Sequence, residues 1–542
     1  MNANLSNRLP LNRLCGLMFL VMSLIFSACA PAAAPAKLVE APKAESQSRQ
    51  AAPALADATG AEKIVEVEKV VKETSVVQEA APAATAASKP EDVTFKDYGF
   101  NPYVDTIEDH YSTFALDVDT ASYSVARSYI NQGMLPPTDA IRAEEFVNYF
   151  DQGYAAPADV AFSIYADGAP SPFDANGLYL LRFGVQGYRI PEFARKSAIL
   201  TFVIDVSGSM REGGRLELVK QALSLLVERL RPDDSVSIVA YTDTTWVVLE
   251  PTPGDNRDAI LNAISQLYPK NSTNAEAGIR LGYKQALKAY RSGATNRVIL
   301  CSDGVANVGN TSPEGILAEV RGYVDEGVTL TAIGVGMGNF NDVLLEQLAD
   351  NGDGNYAYVD TLDEARKVLV DDLVSTLEVI AYDAKVQVDF NPDVVARYRL
   401  IGYVNRAVAD EDFRNDSVDA GEIGAGHSAT AIYAVQFKSN ASGRIATVQL
   451  RWQDPQTREV REINGNFNTW DLANDFASTA PHYQLAVIVA QYAELLGNSP
   501  WASQISASTL SEYASALPGL LPEDADVAEF ADLVARTAQI RR

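Results

Sequence analysis

Between residue 197 and about residue 370 the chain alternates near-continuous apolar runs with amphipathic stretches. "AILTFVID", "SVSIVAY", "NRVILC" and "VTLTAIGV" are mostly apolar, without a strict alternation, as strands buried on both faces tend to be. "RLELVKQALSLLVERL", "AEAGIRLGYKQALKAY" and "NDVLLEQLAD" instead place apolar residues at helical spacing, one stripe per segment. Strand and helix in turn predict an α/β fold: a doubly wound, mainly parallel sheet with helices on both faces. "SVSIVAYTDTTWVVLE" departs from that order. It reads as one strand, or as two strands of a hairpin turning near Asp243 and Thr244.

The pattern changes on either side. From about residue 378, "AKVQVDFNP", "ARYRLIGY", "SATAIYAVQFK" and "RIATVQLRW" have a period of two, which predicts a flanking antiparallel β-sandwich. Beyond Thr479 the period returns to helical, predicting C-terminal helices. Upstream, two helices broken at Pro136-Pro137 precede two strand-like runs around a Pro/Gly loop. Two strands alone are marginal. They predict a single sandwich built from both flanks, with the central domain inserted into it.

The first 28 residues read as an export signal: Arg8 and Arg13, an apolar stretch, then small residues before Cys29. That ending resembles a bacterial lipoprotein box, which implies lipidation at Cys29, a membrane anchor and an extracytoplasmic location, periplasmic or cell surface. Residues 29–95 are Ala/Pro-rich and too poor in apolar bulk to form a core, so they read as a disordered stalk. The expected divisions are then an N-terminal associated segment at 96–196, the α/β domain at 197–377 and the sandwich with its helices at 378–542.

Among the 542 residues, Lys+Arg 44 against Asp+Glu 71 gives a net charge of -27. Such a surface repels phosphate backbones and excludes nucleic acid as a partner. Three cysteines form no disulfide framework, and Cys301 reads as a small buried hydrophobe. His110, His427 and His482 fall in different segments, which excludes a clustered zinc site. No nucleophile elbow or Ser-His-Asp order is present, so the chain reads as a non-enzyme.

The candidate chemistry lies at strand ends. "FVIDVSGSM" places Asp205, Ser207 and Ser209 at alternate positions where an apolar strand turns into a loop. "NSTNAEAGI" places Thr273 just before a helix, and "VILCSDG" ends another strand at Asp303. In such sheets ligands bind in the loops beyond the carboxyl ends of the strands. Carboxylates and hydroxyls from three loops make an oxygen-only set suited to a hard cation: Mg²⁺, or Mn²⁺ or Ca²⁺ in its place.

These residues resemble the von Willebrand factor type A domain with its metal-ion-dependent adhesion site. The resemblance implies direct ligation by Ser207, Ser209 and Thr273, with Asp205 and Asp303 acting in part through water. It also implies an open position that a partner's carboxylate fills. Beyond the A domain, "TFALDVDTASYSVARSYINQGMLPP", "AIRAEEFVNYF" and "DFRNDSVDAGEIGAGHSATAIYAV" resemble a bacterial lipoprotein subfamily with an associated N-terminal segment and a C-terminal domain of its own. The expected function is a membrane-anchored binding protein that engages an unidentified protein through an acidic residue. The alternative is a structural or assembly factor of the cell envelope, with the metal only stabilising the loops.

"FALDVDTASYS" looks like a second copy of the first loop. Aligned on Asp117, its third ligand position is Ala121, which has no oxygen, and no matching Thr and Asp loops follow. It reads as a strand followed by a helix capped by Asp119 or Thr120. The acidic run Asp410–Gly426 does not fit an EF-hand and reads as a solvated hairpin loop.

Overall fold

The computed structural model describes residues 95–541 apart from 117, 175–176, 271–273, 305–312, 337–340, 372–377 and 419. The leader, Cys29, the Ala/Pro-rich region, Thr273 and Asp117 therefore lie outside the described residues. Among those described, no helix is long and apolar enough to cross a membrane.

In chain order, β1 (Val104–Asp105) and β2 (Tyr111–Ala115) lead to α1 (Ala121–Asn131) and α2 (Ala143–Asn148), then to the hairpin β3 (Phe162–Pro170) and β4 (Leu178–Gly187). The central elements follow: β5 (Ala198–Asp205), α3 (Arg215–Arg229), β6 (Ser235–Tyr241), β7 (Thr245–Pro253), α4 (Arg257–Ser265), α5 (Ala275–Ala289), β8 (Thr295–Ser302), α6 (Pro313–Asp325), β9 (Thr329–Val335), α7 (Asp342–Asp350), β10 (Tyr356–Val359) and α8 (Leu362–Arg366). The last part holds β11 (Val379–Phe390), β12 (Val395–Ile401), β13 (Gly421–Gly424), β14 (Ser428–Phe437), β15 (Arg444–Gln453), β16 (Val460–Asn468), α9 (Pro481–Leu496), α10 (Ala507–Leu520) and α11 (Ala525–Ile540).

The central sheet has the order β10-β9-β8-β5-β6-β7. All its pairings are parallel except β6 with β7, the expected hairpin. Every residue of β5 is buried, because α3 and α4 cover one face and α5, α6 and α7 the other. The α/β expectation holds, and its physical reason is visible in that double cover. Cys301 of β8 is buried, and burial pushes its thiol up to about 12, an inert state.

The flanks form one body rather than two. β4 pairs with β14 along its length, in the sheet order β1-β12-β14-β4-β3. The facing sheet runs β13-β11-β15-β16, with β2 on β11. Phe114, Phe183, Phe390, Tyr433 and Phe467 fill the space between the two sheets. The central domain is thus an insertion between β4 and β11. The upstream segment also contributes to the central domain, since Ala121, Val125 and Tyr129 of α1 join the core on the α5 face. Residues 96–196 are therefore not a separate unit. α9 is buried nearly all round and packs with α2, α10 and α11 against the outer face of the β14–β4 sheet.

Buried arginines tie these layers together. Arg127 of α1 bonds Asp360, Glu364, Glu529 and Tyr149. Arg142 reaches Asp342 at the start of α7 at 2.8 Å, and Arg406 reaches Asp350 and Asp119. Arg399 holds Glu494 of α9 in a fork at 2.9 and 2.6 Å. The pairs of Arg127 with Asp360 and Glu364, Arg142 with Asp342 and Arg399 with Glu494 are shielded from water, so removing one member leaves an uncompensated buried charge.

One local expectation fails. Neither Asp119 nor Thr120 caps α1: Thr120 stands at the N-cap without a side-chain hydrogen bond. The helix's free N–H at Ser122 donates instead to Glu145 Oε2 of α2, at 2.8 Å. Asp119 is turned away to accept from Tyr356 N, at 2.8 Å. In the acidic run, the chain makes a short turn around buried Phe413 and then β13, which pairs with β11, so only part of it is a solvated loop.

Candidate metal centre

β5 and its neighbours fix the site by register. Asp205, the last residue of β5, lies opposite Tyr241 of β6, and Ile204 lies opposite Cys301 of β8. The loops after β5 and β8 therefore leave the sheet side by side. α5 closes on them because two glycines one turn apart face the sheet. A Cβ on Gly278 would meet the Tyr241 ring, and one on Gly282 would collide with Val203 of β5. The backbone N–H of Lys270 also donates to Val206 O at 2.7 Å. This draws the segment before α5 against the Asp205 loop.

Asp205 is fully buried. Its Oδ1 accepts from Ser207 N at 2.8 Å, while Oδ2 accepts from Tyr241 Oη at 3.2 Å and Ser302 Oγ at 3.1 Å. All three partners are neutral. Burial first, and then the charge of Asp303, push its carboxyl up to about 7. Ser207 Oγ and Ser209 Oγ lie 2.9 Å apart, and Ser209 Oγ donates to Asp303 Oδ1 at 3.0 Å. Burial raises Asp303 too, and the Arg215 guanidinium opposes the rise.

The structure thus brings Asp205, Ser207, Ser209 and Asp303 together. Thr273 and Cys29 fall outside the described residues. Sequence reasoning missed Tyr241, Ser302 and Arg215, which surround the two carboxylates. The hydroxyl beside the acid in "CSDG" and the arginine opening "RLELVK" were the available signals.

The donor set fits a hard divalent cation. It is oxygen only, and it contains a fully buried carboxylate whose described partners supply no positive charge, a deficit that a cation would fill. Among the described residues no group of three or more His, Cys, Asp or Glu side chains is arranged to hold a metal ion. Two of the three histidines are placed elsewhere: His110 bonds Asp389 at 2.8 Å, and His482 lies against Gly153.

The family models agree with this architecture. Residues 200–371 match the family model for the von Willebrand factor type A domain. Residues 89–181 match one described as von Willebrand factor, and residues 375–540 match the C-terminal domain of uncharacterized protein YfbK. Inter-alpha-trypsin inhibitor heavy chain H3 of Bos taurus is 29% identical over 39% of this chain, which corresponds to 23% of that protein. The solved von Willebrand factor type A structure from Catenulispora acidiphila covers 68% of this chain and 89% of its own, at 15% identity and a TM-score of 0.41. "Uncharacterized protein YfbK" of Escherichia coli (strain K12) is 34% identical over 467 residues, 81% of this chain and 80% of that one. By that likeness over its length, and by the three family models it matches, the chain belongs to the YfbK family of bacterial von Willebrand factor type A domain proteins.

Proposed function

We propose that this protein is an extracytoplasmic binding module, anchored to a bacterial membrane through lipidated Cys29, that engages a protein partner through a divalent ion. The single observation carrying this reading is Asp205, a buried carboxylate with only neutral partners beside two serine hydroxyls and a second carboxylate. Ser207, Ser209 and Thr273 would hold Mg²⁺, with Asp205 and Asp303 behind them. The bound ion supplies a Lewis-acidic position for a carboxylate of the partner. In a chain of net charge -27, that ion would offset the general repulsion of an acidic ligand.

The surface beside the loop supports a protein ligand. Tyr268 is 59% exposed. Lys270, whose backbone bonds Val206, lays its ammonium 3.7 Å from the centre of the Trp246 ring and makes no ion pair among the described residues. An aromatic pair with a free ammonium suits an acidic protein segment. The reading is binding rather than catalysis.

The test is affinity capture from solubilised membranes with Mg²⁺ and with EDTA, using wild type and Asp205→Ala. The expected result is a partner retained only by wild type with Mg²⁺. A partner that survives both EDTA and Asp205→Ala defeats the adhesion mechanism. The anchor is tested separately: Cys29→Ser should move the protein from the membrane to the soluble fraction, and retention at the membrane argues against lipidation.

A further inference from the structure

Arg215 has no place in the oxygen set, yet it is built into the site. It opens α3 and is 8% exposed. Its Nη1 donates to Asp303 Oδ2 at 2.7 Å and to Ser209 O at 3.2 Å. Its stem passes over Gly336, in the loop after β9, where a Cβ would collide with Nε, Cδ and Cγ. Gly336 also has φ +74, so a side chain there would be strained as well as crowded. Glu212 Oε2 also lies near the guanidinium, at 4.0 Å, with its side chain 38% exposed. The arginine is thus pinned by three loops, those after β5, β8 and β9, and it occupies one oxygen of a candidate ligand. Ser209 takes the other oxygen of Asp303.

We propose that Arg215 is a resident counter-cation that holds Asp303 back from direct ligation and so keeps the site's hold on a divalent ion moderate and the bound ion electrophilic. The inference rests on the metal reading above. Its basis is charge and geometry. Counting the buried groups, two carboxylates and one guanidinium, and leaving out the water-screened Glu212, the site has a single negative charge, so a divalent ion leaves it net positive and ready for an incoming carboxylate. Without the arginine the same ion would be neutralised by the protein itself. Asp303 would also have a free oxygen to turn toward it, and the protein would grip the ion harder while offering the partner less. Arg is suited to this role because its planar fork can bond the carboxylate and the backbone carbonyl together and it never loses its proton.

The experiment is calorimetric titration of MgCl₂ alone into the full chain, as wild type, Arg215→Gln, Arg215→Lys and Asp205→Ala, with thermal unfolding of each to confirm the fold. Arg215→Gln should bind Mg²⁺ roughly tenfold tighter or more, the scale of one nearby charge in a partly screened site. Arg215→Lys keeps the charge and should stay within about threefold of wild type. Gly336→Ala, which displaces the side chain without deleting it, should tighten binding in the same direction. It also serves in place of Arg215→Gln should that variant fail to fold. Equal or weaker Mg²⁺ binding by folded Arg215→Gln, while Asp205→Ala abolishes binding, overturns the counter-cation alone. Absence of Mg²⁺ binding by folded wild type and Arg215→Gln alike overturns both this inference and the metal reading.

Discussion

"FVIDVSGSM" and "FALDVDTASYS" are similar on paper and opposite in the folded chain. In the first, the strand runs to its aspartate, and Asp205 keeps only neutral partners at the sheet's edge. In the second, the strand stops at Ala115. Asp119 turns under β10, where it bonds Tyr356 N and the guanidinium of Arg406, 3.3 Å away. One acid is an unbalanced charge held in reserve. The other is a fully engaged joint between the flanking body and the inserted domain. The lesson is that an acid's role is set by whether its environment neutralises it, not by its motif.

If that contrast is right, the two sites fail differently. Asp119→Ala should cost about 3 kcal/mol of unfolding free energy, because it leaves the buried Tyr356 N–H without its acceptor and takes one of its acids from a mostly buried arginine. Urea denaturation measures it. A loss under about 1 kcal/mol would mean that Asp119 is not a joint and that the contrast is empty.

Two helices, α5 and α1, sharpen the point. α5, beside the candidate site, carries its own cap: Asn274 Oδ1 accepts from Ala277 N at 3.2 Å. α1 borrows its cap from Glu145, which also pairs with Arg142. Asn274→Ala should cost about 1 kcal/mol, an ordinary cap. Glu145→Ala should cost about 2 kcal/mol or more, since it strips a buried N–H and a buried guanidinium together. Equal losses in the same denaturation series would argue against the borrowed cap.

That borrowed cap shows where sequence stops being readable. Glu145 is 23 residues from Ser122, and no local spacing could link them. The strands were legible because burial on both faces leaves uninterrupted apolar runs, as in β5. β16 escaped notice because it is an edge strand, largely exposed, with the sequence "VREINGNFN". α4 and α10 also went unread. α4 is short, and α10 is rich in Ser and Ala, with few apolar residues to mark a stripe. At the site, the Asp and Ser positions were legible from the motif. Tyr241 and Ser302 were not, because their place opposite and beside Asp205 follows from strand register, which emerges only when β5, β6 and β8 pair. The insertion of the central domain was legible by a different route: a lone two-stranded segment needed partners, and β14 supplies them.

A smaller effect probes the ionic ring around Asp119. Glu346 of α7 lies 3.7 Å from Arg406 and accepts from Asn405 at 3.1 Å. Burial pushes its carboxyl up to about 7 although Arg142 and Arg406 oppose the rise. An acid raised by folding stabilises the native state fully below its unfolded value, near pH 4.5, and loses that contribution as pH rises through about 7. Glu346→Gln should therefore match wild type near pH 5 and exceed it at pH 8 by on the order of 1–2 kcal/mol. Its amide oxygen still accepts from Asn405. A wild-type advantage at pH 8 would mean that the arginines hold Glu346 ionised.

The last effect is the smallest in stability and the most direct test of the contrast. Asp205→Asn removes a charge whose described partners are all neutral. The amide oxygen can still accept from Ser207 N, and its NH₂ can donate to the hydroxyl of Tyr241 or Ser302 once these rotate. In metal-free buffer the variant should therefore unfold within about 1 kcal/mol of wild type, on the stabilising side, since an uncompensated buried charge is costly. Millimolar Mg²⁺ should then raise the melting temperature of wild type and leave Asp205→Asn unmoved, because ligand binding stabilises only a fold that can bind. A loss in metal-free buffer as large as that of Asp119→Ala would make both aspartates joints, and the two stretches would be alike after all.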